Sequence, residues 1–268
     1  MKIALTSMDI EWENKSVNRK KCVELIKRAS DSGARLILFP EMTLTGFTMN
    51  IRDCGESSME GRPSETVSFF LEQSLRYEMA VGFGYIDSEG DRGKNHFMMV
   101  DNGRIIGDYS KIHPFSFGGE DRVYDSGEEL VSVNLDGVGL GLFVCYDLRF
   151  PEIFQKSSED NEILAVIANW PKSRVSHWNC LLPARAVETQ SIVLGVNRKG
   201  MGNGLEYVTS SKAFDGEGER LEGQCTTTCF GDECIVVEVE PEAVIQKRRE
   251  FPVKNDRKKQ LYRSFYEE

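Results

Sequence analysis

The sequence predicts an α/β fold built on mixed sheets. Short apolar runs alternate along the chain with stretches of helical periodicity, and two turns ending in Asn-Gly or Asp-Gly join strand-like segments into hairpins. No repeat, low-complexity segment or linker interrupts the pattern, so residues 1–268 read as a single domain.

The elements follow in order. Ile3–Met8 has strand character. Cys22, Leu25, Ile26 and Ala29 recur at helical spacing on one face, and Gly33 is placed to stop that helix. Arg35–Phe39 is a compact apolar run, a buried strand ended by Pro40. Ser64 is positioned to cap a helix with the apolar stripe Val67, Phe70, Leu71 and Leu75. Ala80–Ile86 reads as a strand. Asn95–Val100 and Arg104–Tyr109 flank Asp101-Asn102-Gly103, the first hairpin; Leu130–Leu135 and Val138–Cys145 flank Asp136-Gly137, the second. Glu162–Ala168 is a further apolar strand. A helix over Trp178–Gln190 follows, with an interruption or kink expected near Pro183. Ile192–Asn197, Tyr207–Phe214 and Cys234–Val239 complete the strands, and Pro241 suits the first turn of a helix through Arg249. The polar stretch 250–268 is expected to lie over a surface or a partner subunit.

Composition narrows the function. There are 33 basic and 43 acidic residues, a formal net charge of −10, which argues against a phosphate backbone as partner. The seven cysteines are odd in number and scattered, which reads as a reducing cytoplasmic setting rather than a disulfide framework. The N-terminus lacks the apolar core of a signal peptide, and no run approaches the roughly 18 apolar residues of a membrane span.

Three reactive residues stand at strand ends. Glu41 follows Arg35–Phe39 after Pro40, Lys111 follows Arg104–Tyr109 after Ser110, and Cys145 closes Val138–Val144. Chain leaving a buried strand is where α/β proteins place their chemistry. If these strands are neighbours with one common end, a carboxylate, an ammonium and a thiol converge. Such a set suits cleavage of a small amide. The ammonium favours the thiolate and, with the Tyr146 backbone N–H, can hold an oxyanion; the carboxylate can carry a proton from the thiol to the leaving ammonia. Each residue also has an ordinary reading: Cys145 as a packed small hydrophobe, Lys111 as a solvated surface residue, Glu41 as a local cap.

The surrounding segments separate these readings. FPEMTLTGF around Glu41, DYSKIHPF around Lys111 and CYDLRFPEIF around Cys145, in this order, resemble the carbon–nitrogen hydrolase (nitrilase) superfamily. Ala168-Asn169-Trp170-Pro171, His177-Trp178, Ala184–Glu188, Asn197-Arg198 and Gly202-Asn203-Gly204 are similar to its bacterial omega-amidase branch. The resemblance implies a four-layer α-β-β-α sandwich with two mixed sheets, a homodimer or larger homo-oligomer, and no metal or organic cofactor. It implies hydrolysis of the terminal amide of 2-oxoglutaramate or 2-oxosuccinamate through a thioester on Cys145. It also implies Glu120, in Phe117–Asp121, as a second glutamate beside the lysine, and Arg149 as the grip on the substrate's distal carboxylate. The residues themselves leave Arg149 open to an ion pair with Asp147 or Glu152. Trp170 is open to two readings, pocket wall and core packing. Pro114 stands where relatives often carry leucine.

Other readings are kept or set aside. The same fold accommodates an N-carbamoyl amino acid or ureido hydrolase, an aliphatic amidase or a nitrilase; a catalytically weak binding protein is the alternative from another class. A Cys–His pair using His113 lacks the surroundings of thiol proteases, and His177 is read as capping or packing the helix at Trp178. Cys225, Cys229 and Cys234 lack paired zinc spacing and a nearby histidine. Gly137, Gly139 and Gly141 sit inside a strand and so do not form a dinucleotide loop.

Overall fold

The central strands read as unbroken apolar runs because both of their faces are covered. A computed structural model describes residues 1–58 and 61–266; positions 267 and 268 of the tail lie outside the described residues. In chain order the elements are β1 (Lys2–Ser7), α1 (Lys15–Asp31), β2 (Leu36–Leu38), α2 (Ile51–Cys54), α3 (Glu65–Tyr77), β3 (Ala80–Glu89), β4 (Arg92–Asp101), β5 (Arg104–Ser110), β6 (Ser132–Leu135) and β7 (Val138–Val144). They continue with α4 (Pro151–Ser157), β8 (Ile163–Ala168), α5 (Val175–Thr189), β9 (Ile192–Asn197), β10 (Gly200–Gly202), β11 (Leu205–Tyr207), β12 (Lys212–Phe214), β13 (Arg220–Leu221), β14 (Gly223–Thr227), β15 (Glu233–Glu238), α6 (Pro241–Glu250) and α7 (Lys259–Ser264).

Two large mixed sheets result. One has the order β14-β15-β1-β2-β3-β4-β5 and the other β13-β12-β9-β8-β7-β6. Each has a parallel centre, β1-β2-β3 and β7-β8-β9, with antiparallel strands on both flanks. The sheets pack face to face through Ile3, Leu5, Leu38, Phe97, Leu142 and Ile167, all fully buried. The opposite face of the first sheet carries α1 and α3 over Ala4, Ile37, Phe83 and Val81. The opposite face of the second carries α4 and α5 over Phe143, Val166 and Val193. The layers are α-β-β-α.

Local chemistry explains most boundaries. The Asn14 and Ser64 side chains accept from the Val17 and Val67 amides and start α1 and α3. Asn102 and Gly103 both have positive φ (46° and 70°), the two-residue turn that matches strand twist. Three expectations are corrected. Pro183 lies inside an unbroken α5, which begins at Val175; the packing of Trp178, Leu182 and Ala186 on the sheet outweighs the lost hydrogen bond. Tyr207–Phe214 splits into β11 and β12, because Ser210 and Ser211 between them bond Asn197 and Thr6 instead of a ladder. Leu75 is 61% exposed rather than part of the buried stripe. Among the described residues no helix is long and apolar enough to cross a membrane.

Gly84 of β3 is where fold and site meet. Its amide donates to Thr43 Oγ1 (3.0 Å) and its carbonyl accepts from Thr43 N (2.9 Å), seating the turn that carries Glu41. A Cβ there would lie 2.3 Å from Met42 N and 2.8 Å from Glu41 Cα. Gly84→Ala should therefore destabilise the protein by about 1–3 kcal/mol in denaturant unfolding and lower its activity. Unchanged stability and rate would contradict this packing.

Candidate active site

Glu41, Lys111 and Glu120 meet in the interior, each at most 1% exposed. Lys111 Nζ lies 3.1 Å from Glu41 Oε1 and 2.8 Å and 3.0 Å from the two Glu120 oxygens. Asn95, on β4, donates to Glu41 Oε1 at 2.7 Å and to Glu120 Oε1 at 2.9 Å, bridging the carboxylates. Backbone amides complete the set: Asn169 N donates to Glu41 Oε2 at 2.8 Å and Phe115 N to Glu120 Oε2 at 2.5 Å. Burial opposes the charge on Lys111, but Glu120 and Glu41 outweigh it and raise its pKa. Burial, with repulsion from Glu41, raises that of Glu120 against the pull of Lys111.

The three strand ends converge, though not as neighbours in one sheet. Glu41 and Lys111 leave β2 and β5 of the first sheet, while Cys145 leaves β7 of the second, so the three candidate residues come together from both sheets. Cys145 opens the 3-10 turn Cys145–Arg149 with φ +47°, a left-handed conformation uncommon for a residue with a Cβ. Asp147, fully buried in that turn, binds it to the lysine loop. It accepts from Tyr109 Oη (2.7 Å), Val144 N (3.0 Å) and His113 N (3.0 Å), and pairs with His113 Nδ1 (2.8 Å).

Lys111 favours the thiolate of Cys145, but other groups outweigh it. Burial, then the charge of Glu41, pushes the Cys145 thiol well above the ordinary thiol range, and the lowering effect of Lys111 does not compensate. The protonated thiol is therefore the favoured form at rest, beside the Glu41 carboxylate.

A cleft of about 460 Å³ opens on this sulfur, with Lys111, Asn169 and Phe47 beside it, aromatic walls of Phe115, Tyr146, Trp170 and Tyr207, and Arg149 and Arg174 among its lining. Trp170 is both wall and core: it is 3% exposed, packs 5.4 Å from Trp178 and donates Nε1–H to the Arg174 carbonyl at 2.7 Å. Arg149 pairs with neither Asp147 nor Glu152. Its Nη2 lies 3.1 Å from His177 Nδ1, so His177 backs an arginine rather than capping a helix. Asn95, Asn169, Asp147 and Arg174 were not singled out as site residues from sequence; the only available signal was their place inside or beside the motif segments, as at Asn169 and Asp147. Among the described residues no group of three His, Cys, Asp or Glu side chains is arranged to hold a metal ion.

Comparison with known proteins agrees with this architecture. Residues 2–249 match the carbon–nitrogen hydrolase family, and the chain belongs to it. It is 32% identical to the omega-amidase YafV of Yersinia enterocolitica over 82% of this chain and 83% of that protein. It is 28% identical to the 2-oxoglutaramate amidase of Bacillus subtilis (strain 168), over 97% and 98%. Among solved structures, XC1258 from Xanthomonas campestris, a CN-hydrolase superfamily protein with an arsenic adduct in its active site, superposes with a TM-score of 0.84 at 27% identity, covering 96% of this chain and 97% of that one.

The thiol assignment can be measured directly. Thiolate absorbance of the native protein minus that of Cys145→Ala should show no Cys145 thiolate at about pH 8.5, where an ordinary thiol is half ionised. A half-developed signal at that pH would contradict a raised thiol pKa.

Proposed function

We propose that this carbon–nitrogen hydrolase is an omega-amidase, cleaving the terminal amide of 2-oxoglutaramate- or 2-oxosuccinamate-like monoamides of dicarboxylic acids. The observation that carries the reading is one cavity with Cys145 at its reactive end and, on its wall, the guanidinium of Arg149, which has no carboxylate partner among the described residues. The two relatives named above supply the substrate class.

Glu41 removes the thiol proton as Cys145 Sγ attacks the amide carbon, so no free thiolate need accumulate. The developing oxyanion is held by Lys111 Nζ and the Tyr146 N–H; one such donor is typically worth roughly 10²–10³ in rate. The C–N bond breaks, Glu41 hands its proton to the departing ammonia, and an acyl-thioester remains. Glu41 then deprotonates a water, which attacks the thioester; the dicarboxylate leaves and the thiol regains its proton. Glu120 holds Lys111 in place and charged, Arg149 takes the distal carboxylate, and Trp170 walls the acyl chain. The cycle balances without metal or organic cofactor.

The same reading makes residues 1–268 one cytoplasmic hydrolase domain that works as a homodimer, with the tail from 250 against the partner copy. The exposed Phe251, Leu261, Phe265 and Tyr266 support that placement. Truncation after residue 250 should shift light scattering of the protein from dimer to monomer; an unchanged mass would remove the tail from the interface.

The activity test is ammonia release from 2-oxoglutaramate beside N-carbamoyl amino acids, simple amides and nitriles. The dicarboxylate monoamide should be the best substrate, and Cys145→Ala should lower its turnover at least roughly 10³-fold. Arg149→Ala should raise its KM roughly 10-fold or more. Full turnover by Cys145→Ala, or preference for a nitrile, would end the proposal.

A further inference from the structure

The cavity is lined by a second arginine. Arg174 reaches it from the 3-10 turn Lys172–Arg174, on a different segment from Arg149. Among the described residues neither arginine forms an ion pair. The chain carries 43 acidic side chains against 33 basic ones, so two cations left without a carboxylate in one cleft are not explained by a shortage of acids.

Both guanidiniums are held by aromatic faces. Arg149 lies over Trp170 at 4.8 Å and Tyr146 at 5.8 Å, and Arg174 over Phe115 at 5.2 Å. Stacking of this kind leaves the guanidinium edge available to donate; Arg149 directs one Nη2 donor to His177 Nδ1 at 3.1 Å and keeps its other donors for a ligand. The turn carrying Arg174 is fixed at two points: the Trp170 Nε1–H bond to the Arg174 carbonyl, and a Lys172–Glu206 ion pair at 2.8 Å that ties it to β11, whose Leu205 and Tyr207 also line the cavity.

We propose that Arg174 is a specificity-determining residue, forming with Arg149 a two-arginine subsite for the substrate's distal carboxylate. This deepens the omega-amidase reading and rests on it. An ionised carboxylate offers about four acceptor positions, of which one arginine fork occupies two. The second fork takes the remaining positions and, in a 2-oxo acid, the adjacent oxo oxygen. The subsite thus selects monoamides whose far end is a carboxylate with a neighbouring oxygen acceptor over uncharged amides of equal length.

The test compares 2-oxoglutaramate with pentanamide in wild type, Arg174→Ala and Arg174→Lys, with thermal melting as a check on folding. Arg174→Ala should lower kcat/KM for 2-oxoglutaramate relative to pentanamide by roughly 10- to 100-fold, mainly through KM. Arg174→Lys, which keeps the charge but loses the fork, should fall between. An equal loss on both substrates marks a structural role and overturns the proposal, as does no loss on either. A wild type inactive on 2-oxoglutaramate overturns both this inference and the omega-amidase reading; activity with an equal loss overturns this inference alone.

Discussion

The site is organised by one buried ammonium held between two buried carboxylates. Removing such ions from water costs several kcal/mol each, and close geometry with full hydrogen bonding has to offset that. Here Asn95 bridges Glu41 and Glu120, the Asn169 amide takes the Glu41 oxygen that Lys111 leaves over, and the Phe115 amide shares Glu120 Oε2 with Lys111. The donors come from the end of β5, from β4, from the end of β8 and from the loop before Glu120. The two carboxylates gain these donors only when both sheets and that loop are in place, so the geometry of the candidate site and the correct docking of the sheets are a single condition.

Asp147 extends the same logic to Cys145. One carboxylate oxygen holds Val144 N and Tyr109 Oη, the other holds His113. Tyr109 and His113 flank Lys111 in sequence, and Val144 precedes Cys145. The lysine loop of one sheet and the cysteine turn of the other are thereby locked in register through a residue that touches no reacting atom. A protonated thiol fits this crowded setting, where negative charge already outnumbers positive. A free thiolate would add a second uncompensated negative charge to a cluster that already holds two carboxylates and one ammonium.

Much of this was legible in the residues because the candidate side chains sit at strand ends, and apolar runs broken by Pro40, Ser110 or a turn mark those ends plainly. The hairpin turns at Asn102-Gly103 and Asp136-Gly137 were legible for the same local reason. What escaped depends on partners distant in the chain. That β2 and β5 face β7 across a sheet interface is a tertiary fact, invisible to periodicity. Asn95 looks like any polar residue at the start of a strand, and Arg174 like a basic residue before a helix. The edge strand β14 (Gly223–Thr227) carries exposed polar residues and has no apolar pattern to reveal it. Pro183 misled because propensity describes an isolated helix, whereas α5 is fastened to its sheet by Trp178 and Leu182.

The left-handed backbone at Cys145 has an evolutionary consequence. That conformation is tolerable for a side chain with an unbranched Cβ and much less so for a branched one. Serine or alanine can replace the sulfur without rebuilding the turn, so a lineage of this fold can shed its chemistry and survive as a ligand-holding protein by one conservative exchange. Threonine, though it brings a hydroxyl nucleophile, would have to reshape the backbone first. The fold thus leaves an easy path out of catalysis and a steep one toward a threonine hydrolase.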